Sequence, residues 1–125
     1  MVLPFEEEYR KKYYKLLDEV FESNFWSDGK MTRMFEEKFE EYTGLPSCAV
    51  TSGGAGLLSI FEYIGVRGYD VIVPANTFWA TTQAAKMAGA NIIYADCNKE
   101  DLCLSYEDLI RKVTPDTKAI VVVHI

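Results

Sequence analysis

Residues 50–61 read "VTSGGAGLLSIF". A strand-like opening passes through Thr51, Ser52, Gly53, Gly54, Ala55 and Gly56 into an apolar helical pattern, and the reading of that passage decides the fold. A strand, a glycine-rich turn and a helix N-terminus form an anion-binding arrangement, because the first N–H groups of a helix are unpaired and point outward. Gly53, Gly54 and Gly56 let a ligand approach the backbone with no Cβ in the way. Ser52 and Thr51 can add hydroxyl donors. The helix dipole is worth only about 0.3–1 kcal/mol, so backbone hydrogen bonds must carry most of any binding. Three readings compete. Gly54-x-Gly56-x-x-Ser59 imitates a dinucleotide fingerprint, which also wants an acid about 20 residues on, at the end of the second strand. Here that strand ends "VIVPANTF", and the nearest acid, Asp70, precedes it. A P-loop is excluded, since no Gly-Lys-Ser/Thr follows. Taken alone, the stretch leaves a phosphate cradle and a bare tight turn both open.

Outward from the turn, short apolar runs alternate with helical segments. "SCAV" at 47–50 reads as a strand and 55–65 as a helix; "DVIVP" at 70–74 reads as a strand that Pro74 ends. "TFWATTQAAKMAGA" at 77–90 reads as a helix closed by Gly89, "NIIYAD" as a strand, "SYEDLIRKV" as a short helix and "KAIVVVHI" at 118–125 as a strand. Ser105 is placed to cap the short helix, with Asp108 at its third position. Four strands separated by three helices, two of the strands β-branched throughout, predict an α/β fold with a parallel sheet covered on both faces. Upstream, Phe5, Tyr9, Tyr13, Leu16, Leu17, Val20 and Phe21 recur at helical spacing, predicting an amphipathic helix whose stripe packs on the body. "SNFWSDG" breaks the pattern. Met31, Met34, Phe35, Phe39 and Tyr42 mark a second helix that Gly44 is suited to cap. Residues 1–44 thus read as a helical arm before a βαβαβαβ body at 45–125, together one domain. The body stops within its most hydrophobic strand, so the domain reads as incomplete.

Composition narrows the function classes. The chain has 125 residues, 49% hydrophobic and 26% charged, as expected for a globular protein. A net charge of −6 argues against a nucleic-acid backbone binder. No apolar run approaches the ~18 residues of a membrane span, and the acidic N-terminus has no apolar core of a signal peptide. Three cysteines, Cys48, Cys97 and Cys103, cannot all pair within one chain, and free thiols suit a reducing, cytoplasmic setting. A metal site from Asp96, Cys97, Cys103 and His124 has no ligand pair at a recognised spacing, so no metal is expected.

The stretch from Phe35 to Ile125 resembles the DegT/DnrJ/StrS family of pyridoxal-phosphate (PLP) aminotransferases, which act on nucleotide-linked keto-sugars. The signatures are "FEEKFEEYTG", the turn Ser52-Gly53-Gly54-Ala55-Gly56-Leu57, "GYDVIVPANTFWATTQAA", "AGANIIYAD" and "TPDTKAIVVVH", with an upstream "NFWSDG". The resemblance implies the N-terminal part of the large domain of a type I PLP-transferase fold. It implies that the turn holds the PLP phosphate through a Thr hydroxyl and backbone N–H groups. That Thr position is Gly54 here, so Gly53, Gly54 and Ala55 are left to bind through the backbone, with Ser52 as a substitute hydroxyl. Phe78 matches the residue that stacks on the pyridine ring; the plainer reading is a core Phe anchoring its helix. Trp79 is expected in the core or at a subunit contact, and His124 matches a strand-end His near the active site. The Schiff-base lysine and the acid at the pyridine nitrogen lie downstream in the family. None of the nine lysines present matches the catalytic position, so no catalytic residue is assigned and the chain is expected to be inactive alone. Nucleotide-sugar and glutamate are the implied substrates, and the open sheet edge implies a homo-oligomer or completion by another chain. The alternatives are a non-catalytic association module and a simple phosphate- or nucleotide-binding α/β domain.

Overall fold

A computed structural model describes residues 6–125; Phe5, the first member of the N-terminal stripe, lies outside the described residues. The chain divides into two compact units, Met1–Ala49 and Val50–Ile125.

The first unit is a pair of helices, α1 (Glu7–Ser23) and α2 (Lys30–Thr43). Glu7 and Glu8 occupy the first turn of α1, where acidic side chains complement the helix dipole. Asn24 ends α1 in the left-handed region at φ 54, and Gly44 ends α2 at φ 73 with its N–H on the Glu40 carbonyl, as the spacing predicts. Leu16, Leu17, Val20, Met31 and Met34 are half-buried and line one cleft. The expected packed stripe is corrected at its aromatic members: Tyr9, Tyr13 and Phe21 remain exposed. The aliphatic side chains line that cleft together with Tyr13 and Phe35 and leave it open. Lys30 Nζ meets Glu19 Oε2 at 2.8 Å, and this bond and charge hold the Glu19 carboxyl below its usual range.

The second unit runs α3 (Gly53–Ile64), β1 (Asp70–Pro74), α4 (Trp79–Met87), β2 (Asn91–Ala95), α5 (Tyr106–Lys112) and β3 (Thr117–Ile120). The three strands form one parallel sheet in the order β2-β1-β3. β1 pairs in register with β2 from Asp70↔Asn91 to Pro74↔Ala95, and with β3 through Val71↔Ala119 and Ile72↔Ile120. Successive side chains of a strand face opposite ways, and both faces of β1 are buried: Val71, Ile72 and Val73 each have 0% exposure. Val71 and Val73 pack in a cluster with Phe61 of α3, Val66, and Ala84, Ala85 and Ala88 in and after α4. The alanines let α4 lie close to the strand.

Two expected strands are corrected. Residues 47–50 form no strand, and the Ala49 N–H donates to the Glu36 carboxylate at 2.8 Å instead. A strand needs a hydrogen-bonding neighbour as well as β-branched residues, and among the described residues none lies alongside. The last strand is shorter than 118–125, because Val121 N–H to Ile72 O (2.9 Å) is its final bond to β1. Helix boundaries also move. The glycines at 53, 54 and 56 are the first turn of α3 rather than a loop before it, and α4 starts only at Trp79.

Ser105 caps α5, its Oγ accepting the Asp108 N–H at 3.4 Å. Asp108 ties α5 to the end of β2: its Oδ2 accepts from Lys112 Nζ (2.6 Å) and from the Asp96 N–H (2.7 Å), and Arg111 reaches Oδ1. Lys112 first, then the Asp96 N–H, draw the carboxyl from an ordinary 3.8 down to about 2.

Replacing Ile72 by Ala in the middle of β1 is expected to cost about 2–5 kcal/mol in urea unfolding, with the slope unchanged. Asp108 binds its proton less readily folded than unfolded. Its stabilising contribution is therefore complete above pH about 4 and lost as pH falls through about 2. Stability measured across that window is expected to fall less steeply in Asp108→Asn; an identical pH profile would contradict the assignment.

Candidate functional site

The site is built around the first turn of α3. Ser52 is extended, at φ −165 and ψ 163, and its Oγ accepts the Ala55 N–H at 3.1 Å. Its carbonyl accepts the Gly56 N–H at 3.0 Å, which starts the helical ladder. The Ala55 amide is thus engaged by the cap. The Gly53 and Gly54 amides have no acceptor among the described residues. The Ser52 hydroxyl still has its own proton to donate.

Space at the glycines separates their roles. A Cβ at Gly53 would meet nothing within 4 Å. One at Gly54 would lie 3.5 Å from the Ala80 Cβ and 3.8 Å from Ser52 Oγ, both ordinary contacts. Gly54 is therefore not demanded by crowding, and a side chain there is accommodated. At Gly56 a Cβ would come within 3.4 Å of Val50 Cγ2, the edge of ordinary contact.

A groove of about 860 Å³ opens between α3 and α4. Ser52, Gly53, Gly54, Ala55, Leu57 and Leu58 form one wall, and the other runs from Phe78 to Met87. Gly53, Gly54, Ala55 and Phe78 thus share one cavity. Thr51, Gly56 and His124 do not line it, and His124 is exposed beyond the end of β3. Phe78 precedes α4 with extended backbone (φ −63, ψ 135) and is 70% exposed. The core-anchor reading of Phe78 is therefore corrected, as is a core position for Trp79, which is 68% exposed. The two rings are tilted against each other with centroids 5.6 Å apart. α4 is too rich in alanine to leave a core hole for either; Ala84, Ala85 and Ala88 fill the contact with β1.

The sequence reading missed Ala80, Gln83, Ala84 and Met87, which line the α4 wall. Their i, i+3, i+4, i+7 spacing was the available signal. Thr81 was missed as well: it is 7% exposed, and its Oγ1 accepts from Thr77 Oγ1 at 2.9 Å. Among the described residues no ionisable side chain lines the groove, and none of the nine lysines does. An anion here would be met by uncharged groups: backbone N–H groups, hydroxyls, the Gln83 carboxamide and the helix dipole. Among the described residues, no group of three or more His, Cys, Asp or Glu could hold a metal ion. No helix among them is long and apolar enough to cross a membrane.

The profile of the DegT/DnrJ/EryC1/StrS aminotransferase family matches residues 7–125. The chain is 32% identical over 110 residues to dTDP-4-dehydro-2,3,6-trideoxy-D-glucose 4-aminotransferase of Saccharopolyspora spinosa, covering 85% of this chain and 29% of that relative. The crystal structure of 3-amino-5-hydroxybenzoic acid synthase superposes on 100% of this chain and 33% of its own, with a TM-score of 0.85 and 31% identity. NtdA from Bacillus subtilis, with bound cofactor PMP, gives a TM-score of 0.87 at 28% identity, covering 97% of this chain and 28% of its own. This chain therefore spans a third or less of the length of each of these proteins, and it shares their fold over that span.

Replacing Ser52 by Ala removes the acceptor for the Ala55 N–H. It is expected to destabilise the second unit by about 1 kcal/mol in thermal or chemical unfolding; no loss would mean that the hydroxyl does not cap α3.

Proposed function

This chain belongs to the DegT/DnrJ/EryC1/StrS aminotransferase family, and from that premise we propose that its α3–α4 groove is the phosphate-and-ring side of a PLP site in an aminotransferase acting on nucleotide-linked keto-sugars. The observation that carries the reading is the pair of unpartnered amides, Gly53 and Gly54, opening on the same groove as the exposed ring of Phe78. The residues fit the group. The amides and the Ser52 hydroxyl suit a phosphate, the aromatic face suits a flat heterocycle, and the volume suits a cofactor.

When bound, PLP supplies an electron sink through which an amino group passes between two carbon skeletons. The chain's own residues would hold it. Gly53 and Gly54 would donate to its phosphate, Ser52 would add its free proton, and Phe78 would offer its ring face. Leu57, Leu58, Ala84 and Met87 keep water from the apolar side. With Gly54 in place of a hydroxyl residue, one hydrogen bond to the phosphate is missing. No residue of 1–125 is assigned the covalent attachment of the cofactor or the proton transfers. The activity needs groups from the part of the family's length that this chain does not span, and glutamate is the amino donor by family resemblance. Assembly with another chain that carries such groups would bring them to the groove, whereas a homo-oligomer would cover apolar surface without supplying them. The three unpaired cysteines suit a cytoplasmic setting.

A second reading, a non-catalytic association module, is favoured by the exposed apolar Val122 and Ile125 beyond β3.

Titrating the chain with PLP, followed by absorbance and fluorescence, tests the proposal. Gly54→Thr is expected to tighten PLP about tenfold or more by restoring a hydrogen bond to a charged group. Gly54→Asp should abolish binding by placing a carboxylate against the phosphate, and Lys86→Ala should leave it unchanged. Pyridoxal lacking the phosphate should bind far more weakly. Equal binding by Gly54→Asp and the parent chain would sink the phosphate cradle, and self-association without any PLP binding would favour the association module.

A further inference from the structure

The exposed ring of Phe78 has little packing to fix it, so its direction depends on the backbone that carries it. That backbone is the turn 75–78 between β1 and α4. Ala75 N–H donates to the Ala95 carbonyl at 2.8 Å, which carries the β1–β2 ladder one residue past Pro74. Asn76 is then held twice. Its N–H donates to Cys97 Sγ at 3.3 Å, a short contact for sulfur, and its Nδ2 donates to the Leu102 carbonyl at 3.3 Å. Beyond Phe78, the Thr77 to Thr81 hydroxyl bond secures the turn to α4.

The segment that receives Asn76 is itself rigidly built. Cys97 and Leu104 form an antiparallel bridge, flanked by Asn98 N–H to Cys103 O (2.9 Å) and Ser105 N–H to Asp96 O (2.8 Å). Leu102 sits in the left-handed region at φ 59, a conformation that a branched residue keeps only where its surroundings impose it. Its N–H bonds Asn98 O, and Asp101 Oδ1 accepts from both Asn98 Nδ2 and the Cys103 N–H. Asp108 holds the start of the segment through the Asp96 N–H. Of the two thiols in this segment, Cys97 is the one whose sulfur accepts a hydrogen bond from the turn.

We propose that Cys97 is a positioning residue for Phe78: its sulfur accepts the Asn76 N–H and thereby sets the turn that aims the ring at the groove. The cofactor consequence rests on the function proposed above; the mechanical claim does not.

Amide hydrogen exchange on the ligand-free chain tests the mechanical claim. In Cys97→Ala the Asn76 amide is expected to exchange at least about tenfold faster, while Val71–Val73 in the core strand keep their protection. Cys97→Ser, which retains an acceptor, should restore much of the protection. PLP titration then tests the consequence. Cys97→Ala should weaken binding about two- to tenfold, as expected for one lost hydrogen bond, and the loss should vanish in a Phe78→Ala background. Unchanged Asn76 exchange in Cys97→Ala would overturn the proposal, as would a binding loss undiminished in the Phe78→Ala background. If neither parent nor variants bind PLP, the proposed function fails while the exchange pattern still decides the role of Cys97.

Discussion

The burial of β1 on both faces and both edges is the constraint from which the rest of the second unit follows. Val71, Ile72 and Val73 have no contact with solvent, and such a strand must have a neighbour on each edge to satisfy its backbone. β2 and β3 supply those neighbours, and parallel pairing forces each connection to cross the sheet through a helix. On the Val71 and Val73 face, Phe61 of α3 and the alanines of α4 share the same core cluster. The groove is what these two helices leave between the first turn of α3 and one face of α4.

The chemistry of that groove is carried by the backbone. With no ionisable side chain among the described residues lining it, it presents two helical amides, the Ser52 hydroxyl, the Gln83 carboxamide and a partial positive charge. Each contribution is modest, so affinity depends on several donors pointing the same way. Ser52 has a structural part in this: by capping Ala55 it leaves Gly53 and Gly54 unpartnered. The aromatic end is organised differently. Phe78 is exposed, and the hydrogen bonds of the 75–78 turn define its place where packing does not.

Much of this was legible in the residues. The β-branched run "DVIVP" announced the central strand, Ser105 its helix cap, and Gly44 the end of α2. The small residues at 52–55 and the aromatic at 78 were singled out from sequence, and they line one cavity. "SCAV" misled because its composition suits a strand but no neighbour pairs with it. The tail after Ile120 misled in the same way. The tyrosines of α1 follow helical spacing, yet spacing alone does not tell which members of a stripe are covered.

The sequence by itself determined which segments are helical and, through the order of its motifs, the family. These are properties of local propensity and pattern, written residue by residue. Only the tertiary structure decided that Ala55 gives its amide to Ser52 while Gly53 and Gly54 keep theirs, and that Cys97 meets Asn76, a residue 21 positions away. Those outcomes depend on which groups are brought within about 3 Å of one another, and that is settled by packing around β1.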